Sequence, residues 1–402
     1  MKFCLITTFF PPYHFGGDAT YVADLASALV SAGHEATVVH CADSFELLRG
    51  PAAPAPYPLH AAVRVHTLRS RWGRLSPVIT YLTGHPGPKA GALARILSQG
   101  FDVVHWHNLS LIGPAALTMA RGIQLYTFHE YWLFCPTSLL FRYDREVCTR
   151  RTCLRCLVAH KRPPPLWRAT GLLGRWLRRL DGFIAYSRCS QKLIGDSPLG
   201  IQVRYLPPFI LMPRGATRPP DEKPYYLFVG RLIRAKGLQT VLGLFARTGR
   251  PLWVAGAGSL EPELRRMADG QPNIRFLGHV RSADLPALYA GARATLVPSI
   301  CYDVAPRVTL ESLQQGTPLI GSPFGGIPEI IQDTGGGWVY HSLEELESLL
   351  DWIDAHPEEA RKAGVRGKEG AARYTAENHL REYLAVIEEI RAARAAKGAI
   401  RF

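Results

Sequence analysis

Short apolar runs alternate with helical stripes through the first half of this chain, stop at a proline-rich break, and then begin again. Apolar, β-branched runs fall at 3–8, 36–40, 63–68, 103–105, 125–128, 182–186 and 203–206. Between the first two, Val22, Leu25, Ala26 and Leu29 recur at helical spacing, and Gly33 follows as a C-cap. Strands separated by helices imply a parallel sheet with right-handed crossovers. Pro207-Pro208, Pro219-Pro220 and Pro224 then break the pattern. It restarts with runs at 225–229, 252–255, 274–277, 294–297 and 319–321. A long amphipathic stretch at 376–395 ends the sequence. The 402 residues are enough for two domains, each with its own core. The expected division is 1–212, a linker at 213–224, 225–375, and a terminal helix in 376–402.

Composition narrows the class. Hydrophobic residues make up 47% and charged residues 20%, the balance of an ordinary soluble α/β protein. No apolar run reaches membrane-spanning length. The apolar stretch 2–10 runs straight into Pro11-Pro12 without a small-residue cleavage site, so it reads as a first buried strand rather than a signal core. A cytoplasmic location is the expectation. The formal charge of +14 points to an anionic partner: a membrane face, an acidic glycan or nucleic acid. No nucleic-acid motif accompanies it, and a generally basic, solvated surface accounts for the charge equally well.

The region 228–329 carries the densest chemistry. Gly230-Arg231 and Lys236-Gly237 sit where a strand gives way to a helix, the usual anion site of an open α/β sheet. Two fixed cations there stabilise a departing diphosphate without a metal. Taken alone they would be surface cations on a βα loop, which are common. Asp303 and Glu311 downstream favour the stronger reading, because one carboxylate can accept from sugar hydroxyls and the other from ribose hydroxyls. Glu311 also suits a plain helix start, where an acid complements the macrodipole. Gly256 and Gly258 follow a strand and open a loop, as in many nucleotide pockets, although a lone Gly-x-Gly is weak. Gly325-Gly326 precedes a helix start, so its amides are expected to face the cleft.

Together, Val229-Gly230-Arg231, Lys236-Gly237, Asp303 and Glu311, preceded by Phe10-Pro11-Pro12, Gly16-Gly17 and Gly33-His34-Glu35, resemble the retaining glycosyltransferases of family 4. The resemblance runs over most of the chain and rests on the order and spacing of the motifs. It implies the GT-B architecture: two doubly wound, Rossmann-like α/β domains facing across a cleft, the first binding the acceptor and the second a UDP- or GDP-sugar. The resemblance assigns the leaving diphosphate to Arg231 and Lys236, the donor sugar to Asp303 and the ribose to Glu311. It places Gly16, Gly17 and Gly230 against the donor, His279 near the base, and His129 beside the donor sugar, with Glu130 as a neighbour. The terminal helix would cross back to the first domain. His107, also at a strand end, reads as a satisfied hydrogen-bonding residue rather than a catalyst. No carboxylate is clearly placed as a covalent nucleophile, so front-face transfer is expected, with no catalytic metal and a glycan or lipid-linked acceptor. The chain departs from the family at Asp303, which is usually Glu, and at Ala305-Pro306, which replaces Phe-Gly. Pro306 removes one backbone donor, leaving the amides of Arg307 and Val308 to serve.

Of the eight cysteines, Cys135, Cys148, Cys153 and Cys156 fall close together within an insertion at about 135–165. In a cytosolic enzyme such clustering suggests metal more than disulfides. A closed structural zinc site is the leading expectation, an iron–sulfur site and free thiols being the alternatives. Around it run Arg142, Arg145, Arg150, Arg151, Arg155, Lys161, Arg162, Arg168, Arg175, Arg178 and Arg179, opposed by Asp144 and Glu146, with Trp167 and Trp176 interleaved. This resembles an interfacial segment on an anionic membrane, which would place the enzyme on the inner face of the plasma membrane. A helix packed on its domain with solvated arginines reads equally well. Two rival functions remain. A phosphorylase on the same fold would want a lysine-bound pyridoxal phosphate, for which there is no signal. A non-catalytic metal-bearing binding protein is opposed by the intact Arg231, Lys236 and Glu311.

Overall fold

The computed structural model describes residues 1–14, 16–49, 56–211 and 224–399. Among these, the strands build two parallel sheets. The first contains β1 (Lys2–Ile6), β2 (Glu35–Cys41), β3 (Arg64–Leu68), β4 (Val103–Trp106) and β5 (Ile123–Phe128). A small antiparallel hairpin, β6 (Phe141–Arg142) and β7 (Glu146–Val147), stands apart in the insertion. β8 (Gly182–Ala185) and β9 (Arg204–Tyr205) complete the first sheet in the order β3-β2-β1-β4-β5-β8-β9. The second contains β10 (Tyr225–Val229), β11 (Leu252–Ala255), β12 (Ile274–Gly278), β13 (Ala292–Val297), β14 (Leu319–Gly321) and β15 (Gly337–Val339). Its order is β12-β11-β10-β13-β14-β15. Both sheets are doubly wound, as the alternating sequence pattern implies.

The central strands are apolar on both faces because helices cover both faces. Phe3, Cys4, Leu5 and Ile6 of β1 are fully buried. The expected stripe forms the helix Gly17–Ser31, which buries Val22, Leu25, Ala26 and Leu29 against them. In the second domain, Val241, Leu242 and Phe245 of the helix Leu238–Thr248 pack on Phe228, Val254 and Leu296. The last helix, Ala376–Ala399, sends Tyr383 and Ile387 into the first core. The hairpin and β15 have no counterpart in the sequence reading. The hairpin strands have two residues each, and β15 begins among glycines, which weaken strand propensity. Of the linker at 213–224, all but Pro224 lies outside the described residues.

Strand order reverses between β1 and β4 in one sheet and between β10 and β13 in the other. Ligands of open α/β sheets bind at such reversals, outside the carboxyl ends of the strands. The residues following these four strands are therefore where a site is expected.

Candidate active site

Lys236 ends a short 3₁₀ turn after β10, and Asp303 lies in the loop after β13. Their side chains meet: Lys236 Nζ donates to Asp303 Oδ1 at 2.7 Å and to Oδ2 at 2.8 Å. The Ser299 hydroxyl also donates to Asp303. Two residues that the sequence reading gave to separate parts of the donor thus form one ion pair. Gly325 shapes the loop around it. Its φ is +66°, and a Cβ there would stand 2.0 Å from the Asp303 carbonyl oxygen. The Gly326 amide donates to that same carbonyl at 2.8 Å, so it does not face the cleft as expected. Gly256 has a similar packing reason: at φ +146°, a Cβ would lie 1.8 Å from the Gly230 carbonyl oxygen. That close approach explains Gly256 without a ligand.

Glu311 lies in the helix Arg307–Gln314, where Pro306 is the N-cap. It accepts from the Tyr289 hydroxyl at 2.9 Å and lies 3.6 Å from Arg307 Nε. Burial, with the charge of Glu311 added, pushes the Tyr289 hydroxyl well above its ordinary pKa. The amides of Arg307 and Val308 open this helix, where backbone donors lack intrahelical partners. The Arg307 side chain crosses to the first domain. Its Nη2 donates to Asp24 Oδ2 at 2.8 Å, and its Cδ packs 3.0 Å from where a Gly17 Cβ would be. Tyr57 also donates to Asp24 at 2.8 Å. Burial opposes the charge on Arg307, but Asp24, Tyr57 and Glu311 outweigh it and raise its pKa. A second link runs from Glu329, whose carboxylate accepts from the amides of Arg188 and Cys189 at 2.7 and 2.6 Å, at the start of the helix Arg188–Gly195.

The first domain contributes residues after β1, β4 and β5. His129 Nε2 lies 3.0 Å from His107 Nδ1. Burial, with the charge of Arg307 added, pushes the His129 pKa down to about 3, so the ring is neutral. Asn108 accepts from the Ser110 amide at 3.0 Å through Oδ1, which turns its amide nitrogen to Glu130 Oε1 at 3.3 Å. Asp18 shares Asn108 as a hydrogen-bonding partner. Burial and the nearby Asp18 carboxylate push Glu130 up to about 7. Burial also raises Asp18, while Arg231, on the other domain, works against that rise. Arg231 is exposed at the carboxyl end of β10, and His279 is exposed just after β12.

Arg231, the Lys236–Asp303 pair, Glu311, Gly230 and the first turn at Arg307 and Val308 therefore share the carboxyl end of the second sheet. His129, Gly16 and Gly17 hold the equivalent position on the first. Asp24, Asn108, Tyr289 and Asp18 were missed as site residues. A cross-domain pair such as Arg307 with Asp24 leaves no spacing signal in a sequence. A cavity of ≈ 260 Å³ bounded by Arg188, Tyr205, Arg373 and Asn378 shares none of the expected site residues.

The cysteine expectation is not supported. Among the described residues, no group of three or more His, Cys, Asp or Glu side chains is arranged to hold a metal. The thiols sense one another electrostatically, with burial first and then Cys135, Cys153 and Cys156 raising the pKa of Cys148. Their sulfurs nevertheless serve different groups: Cys135 the Thr137 hydroxyl at 3.4 Å, Cys148 the Arg150 carbonyl at 3.6 Å and Cys156 the Tyr143 amide at 3.5 Å. Trp167 and Trp176 are buried, and the Arg168 guanidinium stacks on Trp132 and Trp167 while donating to the carbonyls of Trp132 and Leu133. The interleaved aromatics are core, not a lipid-facing surface. Among the described residues no helix is long and apolar enough to cross a membrane.

Comparison with known proteins bears on the family and the fold. Residues 15–210 match the family described as Glycosyltransferase Family 4, and 214–370 match Glycosyl transferases group 1. A GDP-mannose-dependent alpha-mannosyltransferase of Mycolicibacterium smegmatis is 26% identical over 359 residues, 82% of each chain. The first two curated relatives align over only 33% and 40% of their own length. Among solved structures, the sucrose-phosphate synthase of Thermosynechococcus elongatus superposes with a TM-score of 0.73 at 19% identity, over 98% of this chain and 100% of that one. The Anabaena protein HepE, solved with UDP-glucose, gives 0.67 at 16% identity, over 98% and 100%. At those identities the likeness is one of fold.

Proposed function

The chain belongs to the GT-B glycosyltransferases, and on that premise we propose that it moves a sugar from a UDP- or GDP-sugar to a glycan or lipid-linked hydroxyl with retention of configuration. The observation that carries this reading is the cationic position after β10: Arg231 exposed, and Lys236 held by Asp303. The bond from the sugar's anomeric carbon to the β-phosphate oxygen breaks while the acceptor oxygen bonds to the same face. The acceptor's proton passes to the leaving phosphate. Arg231 and Lys236 stabilise the charge that builds on that phosphate, so no metal is required of the site. Asp303 keeps the Lys236 ammonium in place through both carboxylate oxygens, and the remaining lone pair of Oδ1 is offered to a sugar hydroxyl. Glu311, fixed by Tyr289, accepts from ribose hydroxyls, and the amides of Arg307 and Val308 serve the diphosphate. Gly230, Gly16, Gly17, Gly258 and His279 line the donor, and His129 meets the sugar. Asp18 follows the Gly16-Gly17 turn directly, so that turn suits sugar better than diphosphate.

The relative named for GDP-mannose and the neighbour solved with UDP-glucose support the donor class. The test is release of UDP or GDP from a panel of nucleotide sugars, followed by NMR of the product's anomeric configuration. Inverted product, or no release from any donor, removes this reading.

A membrane location for the acceptor end has one specific support. Leu154, Val158 and Leu166 are 64, 67 and 74% exposed in the insertion, beside exposed Arg151, Arg155, Lys161 and Arg162. We propose that this face meets an anionic lipid surface during surface-polysaccharide or glycolipid assembly.

A further inference from the structure

Behind His129 lies a ring whose only hydrogen bond is to His129. His107 follows β4, His129 follows β5, and the two strands pair in parallel. His107 is fully buried, its Nδ1 stands 3.0 Å from His129 Nε2, and its own Nε2 has no partner. One nitrogen of the contact donates and the other accepts. Both rings are neutral: burial, aided by neighbouring histidines, drives His107 well below its ordinary pKa, and burial does the same to His129.

Two tautomer arrangements satisfy the contact. If His129 donated from Nε2, His107 would carry its hydrogen on the other nitrogen, leaving a buried N–H with no acceptor. If His107 donates from Nδ1, the orphan is a lone pair instead. Buried orphan donors are the rarer and costlier case in folded proteins. His129 must then carry its hydrogen on Nδ1, the nitrogen not used in the contact. We propose that His107 is a positioning residue that fixes His129 in the Nδ1–H form, so that His129 meets the donor sugar as a neutral hydrogen-bond donor and not as a base.

The surroundings hold this arrangement in place. The His107 ring packs on His105 with centroids 4.0 Å apart. His105 is bonded to Thr127 Oγ1 at 2.7 Å and to the Tyr383 hydroxyl of the last helix at 2.8 Å. Tyr21 lies against His129 at 5.2 Å. A neutral donor polarises a sugar oxygen without delivering a proton, which leaves proton transfer between acceptor and phosphate. The inference rests on the donor-site reading for His129.

The test is long-range ¹H–¹⁵N NMR of the full-length protein with ¹⁵N-labelled histidine, with His129 assigned from its loss in His129→Gln. The expected spectrum shows His129 protonated at Nδ1. His107→Leu should shift it to the other tautomer or a mixture. His107→Asn places an amide near the Nδ1 position and should preserve it. In release of nucleoside diphosphate from UDP-glucose or GDP-mannose, His107→Leu should lower kcat by roughly 10–100-fold with little change in KM, and His107→Asn should recover most of it. His129 protonated at Nε2 in the unaltered protein, or an unchanged His129 signal in His107→Leu, overturns the proposal. Should His107→Leu not fold, the unaltered protein and His107→Asn still decide it. The predicted tautomer without turnover of any nucleotide sugar would leave the positioning intact and remove the donor-site reading.

Discussion

The two walls of the cleft share one sheet pattern and differ in charge. The wall after β10 and β13 presents cations, Arg231 and Lys236, and keeps its carboxylates bonded within its own domain, Asp303 to Lys236 and Glu311 to Tyr289. The wall after β1, β4 and β5 presents neutral histidines and the partly buried carboxylates Asp18 and Glu130, joined through Asn108. The second wall's cations favour an anionic group, whereas burial on the first wall raises the pKa of Asp18 and Glu130 and makes their charge costly. On the proposed function, this difference in charge would orient a nucleotide sugar across the cleft, with phosphates on the second domain and hydroxyls toward the first.

The largest expected effect comes from the contact that joins the walls. Asp24→Ala removes the carboxylate that Arg307 donates to, leaving the buried guanidinium with Glu311 at 3.6 Å as its remaining acid, and should lower stability by about 3–5 kcal/mol in urea unfolding. Asp24→Asn with Arg307→Met should cost less than the sum of the single changes, because one interaction is removed twice. Additive costs would mean that the pair does not couple the domains.

A smaller effect isolates the acidic wall. Glu130 has its pKa raised in the folded state to about 7 from an ordinary 4.5, so folding favours its protonated form. That contribution is complete below the ordinary value and is lost as pH rises through about 7. Glu130→Gln cannot ionise. It should match the unaltered protein near pH 4 and exceed it at pH 8 by about 1–3 kcal/mol. A difference that stays flat with pH would show that Glu130 titrates like a solvated side chain.

The smallest effect concerns the exposed basic face of the insertion in the first domain. Each cation near an anionic surface contributes about 1 kcal/mol, screened over roughly 10 Å at moderate salt. Replacing exposed Arg151, Arg155 and Lys161 by Glu should release the protein from anionic vesicles at low salt while leaving UDP or GDP binding unchanged. Equal sedimentation with neutral and anionic vesicles would make the insertion an ordinary solvated surface.

The same contrast explains what could be read in advance. The positions of Arg231, Lys236, Asp303 and Glu311 near strand ends were legible from the strand–helix rhythm, but the Lys236–Asp303 contact, which joins the loops after β10 and β13, was not. The strand–helix rhythm likewise reports only local burial, which is why both sheets were visible and the two-residue hairpin strands were not. Asp24, Tyr289 and the Tyr383 bond to His105 were not legible, because their partners arrive from distant segments. Trp167 and Trp176 were misjudged for a related reason. An arginine-rich apolar stripe looks the same whether it covers lipid or its own domain, and here Trp132 and Arg168 claim it for the core. The cysteine spacing finds no counterpart among the described residues, where no group of three or more is arranged to hold a metal, although neighbouring thiols do act on Cys148.

The central claim is that fixed cations on the second domain take the charge of the leaving diphosphate. Its most direct test is the rate of UDP or GDP release by the unaltered protein, Arg231→Ala and Lys236→Ala, all in the presence of a chelator of divalent ions. The account predicts that the unaltered protein keeps its activity, and that each variant loses about 10²–10³-fold in turnover while remaining folded by circular dichroism. Near-normal turnover in either variant, or activity in the unaltered protein that returns only with added Mg²⁺ or Mn²⁺, would contradict it.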